Sequence, residues 1–170
     1  MDMWEAVHSR RNVRDFTGEP IAAGDLDKVL EAARRTPSSR NGQPWDFVVV
    51  TDRGVLEPLS GVWQGARHVA GAAAAVAIIA PNPTEETRNW LYYDLGQATM
   101  SIALAGTGLG IGSAHAAVAD QGLARQLLGF PDDRFCAAII SLGYPADRPL
   151  APIRSPNRRP FDEVVHREHW

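Results

Sequence analysis

Apolar residues recur along this chain at two periods, and the switches between them divide it into elements. Leu26, Val29, Leu30 and Ala33 stand at i, i+3, i+4 and i+7, which predicts an amphipathic helix over 25–35 that Pro37 stops. Asp2 and Glu5 have the spacing of a capping pair, and Trp4 with Val7 give a short opening helix one apolar face. Residues 14–20 read as irregular. The loop Pro37-Ser38-Ser39-Arg40-Asn41-Gly42-Gln43-Pro44 runs into the apolar stretch 45–50, a buried strand.

Further along, 55–61 suits a short helix and 75–80 a second buried strand, closed by Pro81-Asn82-Pro83. The longest helix spans 89–107, with Leu91, Leu95, Ala98, Ile102 and Ala105 on one stripe. Its many small residues allow burial on several sides. Gly106, Gly108, Gly110 and Gly112 punctuate its end and lead into a short strand near 111–114. Asp120 caps a helix through Leu128, Gly129 closes it, and 135–142 is the last strand. From Gly143 onward the chain is rich in proline and arginine. Such a tail cannot bury itself, so it stays loose or wraps a neighbour. Helices and strands mix without strict βαβ alternation, which favours an α+β layered fold in one domain over 1–170.

Composition narrows the classes. With 45% hydrophobic and 22% charged residues the chain reads as an ordinary soluble domain. A formal net charge of −3 excludes a general pull toward nucleic acid or an anionic membrane. The apolar runs 69–80 and 98–112 fall short of the ~20 residues of a membrane helix or are broken by glycine. No signal pattern opens the chain, and a cytoplasmic protein is the expectation. Abundant alanine and arginine, with Lys28 the only lysine, point to a GC-rich bacterial source. Cys136, the only cysteine, excludes an internal disulfide and a cysteine-based metal site, and reads as a small buried hydrophobe.

Candidate chemistry lies in the arginine clusters and the polar loop. Residues 106–112 alternate glycine, but a dinucleotide fingerprint must follow a strand and open a helix, whereas this run follows a helix. A helix stop is one reading; a backbone allowing close approach of a flat ligand is the other. The head Ser9-Arg10-Arg11-Asn12-Val13-Arg14-Asp15-Phe16 can aim two arginines and an amide into one space, suited to a phosphate and a polar heterocycle edge. Taken alone, the 37–45 loop is a solvated connector with Trp45 in the core. Residues 158–166 taken alone are a surface tail.

Together these segments resemble the FMN-dependent nitroreductase family. The shared pattern comprises Ser-Arg-Arg-x-Val-Arg-x-Phe at 9–16, Pro-Ser-Ser-x-Asn-x-Gln-Pro-Trp at 37–45 and Asp94-Leu95-Gly96 leading to Gly108-Leu109-Gly110. Leu142-Gly143-Tyr144-Pro145 and Arg-x-Pro-x-x-x-Val-Val-His at 158–166 complete it. The motifs occur in order from Trp4 to His166. The resemblance implies a three-layer α-β-α fold around a mixed, mostly antiparallel sheet. It also implies an intertwined homodimer in which the tail, 150–170, embraces the partner and adds a strand to its sheet.

The same resemblance implies that FMN binds without a covalent bond at the subunit interface. Arg10 and Arg158 are the leading candidates for its phosphate, with Arg11 and Arg159 behind them. Asn12 and Arg14 match positions at the ribityl chain and the pyrimidine side. Pro37, Ser38, Ser39 and Asn41, with Gln43 at the end, match the loop that the other subunit delivers. Gly112, Ser113 and Ala116 match the segment beside the reactive ring nitrogen. Asn12 stands where serine is common. The short link between the strand ending at 80 and the helix near 89 replaces a long lid of larger relatives, implying a more open or differently walled pocket.

By this resemblance NADH or NADPH reduces the flavin, then a small-molecule electron acceptor takes the same place in a ping-pong cycle. Nitroaromatics and quinones are the expected acceptors. Arg14 would support the anionic reduced ring. His115 is a candidate substrate contact, or else a structural or solvent-facing histidine. The alternatives are a flavin-binding or flavin-storing protein, or a relative that fragments flavin or removes halide.

Overall fold

A computed structural model describes residues 1–170. Four strands form the sheet: β1 (Asp46–Val50), β2 (Ala74–Pro81), β3 (Gly112–Ala116) and β4 (Arg134–Gly143), in the order β1-β2-β4-β3. All three pairings are antiparallel. The expected mixed character is confined, in the protomer, to one parallel bridge between Asn12 and Ser113 outside the named strands.

Five helices cover the sheet: α1 (Met3–Ser9), α2 (Ala23–Arg34), α3 (Arg53–Leu59), α4 (Arg88–Gly108) and α5 (Gln121–Leu128). Strand alternation decides which face each residue serves. Val76, Ile78 and Ala80 of β2 pack with Leu26 and Val29 of α2 and Leu91, Leu95 and Ile102 of α4. Ala75, Ala77 and Ile79 pack with Leu56 and Leu59 of α3 and Ala124 of α5. Two cores on opposite faces of one sheet make the three layers. Residues Ala74–Ala80 read as an unbroken apolar run because both faces of this central strand are covered.

A register shift between Ile78 and Ile79 sets Ala138 and Cys136 opposite these neighbours, leaving Ala137 as the extra residue of a bulge. The bulge places Cys136 and Ile139, three apart in sequence, in the same core. β3 ends opposite Ile139, so beyond it β4 has no neighbour on that side. Gln121 supplies one, accepting from Cys136 N (2.9 Å) and donating to its carbonyl (2.8 Å).

Local capping follows chemistry visible in the sequence. Asp2 and Glu5 form a reciprocal capping box on α1, and Asp120 accepts from Leu123 N at the head of α5. Gly129 closes α5 with φ 73°, a left-handed geometry that glycine adopts without steric penalty. Two helix starts differ from the sequence reading by two residues, and two 3-10 turns are absent from it. α2 begins at Ala23 rather than 25, with no side-chain cap. α3 begins at Arg53 because Asp52 caps Gly54 N. The 3-10 turns Ser60–Val62 and Gln64–Val69 have no periodic signal. Residues 144–170 run over the surface without a strand, and only the 3-10 turn Phe161–Glu163 is regular.

Candidate functional site

The site begins where α1 stops. Arg10 caps α1 in extended geometry (φ −62°, ψ 124°), so the chain leaves the helix and runs along the free edge of β3. Val13 N donates to Ser113 O (2.9 Å), Thr17 N to Tyr144 O (2.9 Å) and Ala146 N to Asp15 O (3.0 Å). These bonds need close backbone approach, and two glycines provide it. A Cβ on Gly112 would stand 2.6 Å from Val13 Cγ2, and one on Gly143 would stand 2.7 Å from Phe16 Cδ1. Thus the residues 14–20, read as irregular from sequence, are sewn at 16–17 to the end of β4, in part by a bridge between Phe16 and Pro145.

This placement sorts the arginines. Arg10 gives one N–H to Asn12 Oδ1 (3.2 Å) and, like the exposed Arg14, forms no ion pair. Arg11 is committed elsewhere: it bonds Asp147 Oδ1 (2.6 Å) and the Arg148 carbonyl (2.8 Å). That guanidinium holds the Asp147 carboxyl below its usual range. Arg158 reaches only its neighbour's carbonyl, whereas Arg159 bonds the Glu163 carbonyl and lies 3.6 Å from its carboxylate. Neither tail arginine lines the cleft described next.

Arg10, Asn12 and His115 line a cleft of about 380 Å³ against Gly96, Thr99, Met100 and Ala103 of α4. His115 is exposed while its strand neighbours Ala114 and Ala116 are buried, as alternation along β3 requires. Gly112 and Ser113 are buried in the same strand. A Cβ added to Gly96 would meet no atom within 4 Å, so this stretch of α4 offers open, flat helix surface. The Arg10 guanidinium, free of any ion pair, beside an amide and a flat helix face fits a phosphorylated planar heterocycle; Arg14 lies outside this lining.

The Pro37–Gln43 loop lies in a separate place. Asp94 of α4, 1% exposed, accepts from Ser39 N (2.9 Å) and Ser39 Oγ (3.4 Å), and Gln97 donates to it at 3.4 Å. Ser38 Oγ accepts from Gln43 N (2.9 Å), and Gln43 Nε2 donates to the Asn41 carbonyl. Held by these bonds, Arg40, Asn41 and Gln43 take left-handed φ values of 53°, 56° and 46°. The loop, including the exposed Pro37, lies outside the lining of the Arg10–Asn12 cleft within one protomer.

One residue of this region carries no sequence signal. His68, 8% exposed, sits in the 3-10 turn below β3 and β4. Ser141 Oγ donates to the Ala114 carbonyl (3.1 Å), so it accepts from His68 Nδ1 (2.8 Å). The ring is therefore protonated at Nδ1, and its buried Nε2 is an acceptor with no partner. Burial first, then the charges of Arg14 and His115, push its pKa below the ordinary value. His68 thus stays neutral behind the segment that carries His115.

The fold and motifs agree with comparisons to known proteins. The nitroreductase family model matches residues 7–62. A relative from Archaeoglobus fulgidus, provisionally named NADH dehydrogenase/NAD(P)H nitroreductase, is 32% identical over 96% of both chains. An FMN-dependent nitroreductase structure from Clostridium difficile superposes with TM-score 0.84 at 26% identity, covering 98% of this chain and 99% of the other. A provisionally named NADH oxidase from Clostridium acetobutylicum superposes at 0.86 with 23% identity, over 98% of this chain and all of the other. No helix is long and apolar enough to cross a membrane.

Proposed function

Because this chain belongs to the nitroreductase family, we propose that it is an NAD(P)H-dependent oxidoreductase holding FMN against the 10–14 head and β3. The observation that carries the reading is that the head segment bearing Arg10 and Arg14, neither in an ion pair, is tied to the edge of β3 through Asn12 and Val13, with Arg10 and Asn12 lining the cleft.

FMN, when bound, supplies two-electron chemistry: a hydride from NADH or NADPH, with one solvent proton, reduces a quinone to hydroquinone, or a nitro group to nitroso with loss of water. The chain's own residues bind and orient. Arg10 neutralises the phosphate, and Arg158 of a second copy is the other candidate for that task. Asn12 hydrogen-bonds hydroxyls of the ribityl chain. Arg14 would place a positive charge where negative charge develops on the reduced ring. Ser38, Ser39 and Asn41 reach the site from the second copy, in a homodimer clasped by residues 150–170. Gly112, Ser113 and Ala116 form the wall that carries His115 at the substrate side. No side-chain nucleophile is needed, and donor and acceptor share one place, which gives ping-pong kinetics.

Purified protein should be yellow, retain FMN stoichiometrically, and bleach anaerobically with NADH or NADPH. Arg14→Ala should weaken flavin retention and slow turnover with a nitroaromatic or quinone. Full occupancy and full rate in that variant would remove Arg14 from its role. Yellow protein that no nicotinamide bleaches would identify a storage protein instead.

A further inference from the structure

A second, larger cleft of about 730 Å³ lies beside the latched loop, lined by Ser39, Arg40, Gly42, Glu86, Thr87 and Trp90. Arg40 is exposed, and its guanidinium forms no ion pair with any carboxylate, Glu86 included. Its backbone sits at φ 53°, ψ 23°, a left-handed conformation that costs a side-chain-bearing residue energy and persists only where neighbours enforce it. The neighbours do so. Asp94 grips Ser39, Asn41 N donates to Ser38 O (2.9 Å), and Gly42 N donates to Ser39 O (3.0 Å). Across the cleft Trp90 leaves 39% of its surface open, on the first turn of α4.

We propose that this cleft is a specificity subsite for a planar aromatic ligand bearing an anionic group. Trp90 offers the ring face, and Arg40 pairs the anion. The proposal rests on the oxidoreductase reading, because the loop that carries Arg40 is the one that serves the flavin of a second copy. Arg40, held in strained geometry and without an ion pair, stands across the cleft from an open indole. Its planar fork matches a carboxylate or phosphate with two parallel N–H bonds, and an indole stacks on flat rings. Two ligands of this chemistry visit such an enzyme: an acceptor with a ring carboxylate, and the donor's phosphate.

The test compares 4-nitrobenzoate with its neutral isostere 4-nitrobenzamide, and NADPH with NADH, on wild type, Arg40→Gln and Trp90→Leu, all loaded with FMN. If the anion is the acceptor's, Arg40→Gln lowers the nitrobenzoate-to-nitrobenzamide ratio of kcat/KM about tenfold, through KM. If it is the donor's phosphate, the NADPH-to-NADH ratio falls instead. Trp90→Leu raises KM for both acceptors and leaves their ratio in place. A readout independent of turnover is the perturbation of the bound-flavin spectrum by benzoate against benzamide. Arg40→Gln should abolish the preference for benzoate, and high salt should weaken it in wild type. Arg40→Gln that leaves both kinetic ratios and the benzoate preference at wild-type values overturns the subsite. Colourless wild-type protein would instead overturn the flavin reading, so the two failures are distinct.

Discussion

Replacing Asp94 with alanine tests whether the Pro37–Gln43 loop, proposed to serve the flavin of a second copy, is held in place before any ligand arrives. The carboxylate is 1% exposed, accepts two bonds from Ser39, and has no cationic partner. A hydrogen bond to a charged group contributes about 1.5–3 kcal/mol. In Asp94→Ala the Ser39 N–H loses its acceptor, and the left-handed turns at Arg40, Asn41 and Gln43 are then held only by bonds within the loop, with no tie to α4. The loop relaxes, and ligand binding must order it again. At about 1.4 kcal/mol per tenfold, FMN affinity should fall roughly 10- to 100-fold. Removing an unpaired buried carboxylate also relieves a desolvation cost, so global unfolding should shift less than loop order. Flavin-fluorescence titration gives the affinity, and hydrogen exchange at residues 39–43 gives the order. Asp94→Asn keeps an acceptor oxygen and should fall between. Wild-type affinity together with wild-type exchange protection in Asp94→Ala would refute the latch.

Three further outcomes follow from the geometry. Gly112→Ala forces a methyl to 2.6 Å from Val13 Cγ2, and should cost about 1–3 kcal/mol in urea unfolding while loosening the head and its flavin; wild-type values of both would contradict the close approach. Burial pushes the Cys136 thiol up to about 12, so the native protein should resist a disulfide reagent at pH 8, with one thiol appearing on denaturation; fast native labelling would contradict this. His68 has a folded pKa below its ordinary 6.5, so the unfolded chain binds its proton first. Its contribution is present above pH 6.5 and is lost as pH falls through the folded pKa. His68→Gln should therefore flatten the acid limb of stability between those two values, measured by urea midpoints against pH; an unchanged limb would show that the ring is not held neutral.

Local rules were enough for much of the fold. The helix stripes at 26–33 and 91–102, the capping box at Asp2, the stop at Gly129 and the buried runs of β2 and β4 all follow from periods and turn chemistry within a few residues. The head, loop and tail motifs were legible as an ordered set that identified the family. What the sequence could not show was which side chains meet. Arg10 and Arg11 are adjacent and chemically alike, yet only Arg11 finds Asp147, 136 positions away. Asp94 was legible only as a member of the Asp94-Leu95-Gly96 motif, with no hint of its grip on Ser39, and His68 lies in a stretch with no period. The Ala137 bulge, the latch on Ser39 and the fixed tautomer of His68 depend on contacts between distant segments. Periodicity reports only the environment each residue prefers; the partner it meets is set by how β3, β4 and α4 pack together.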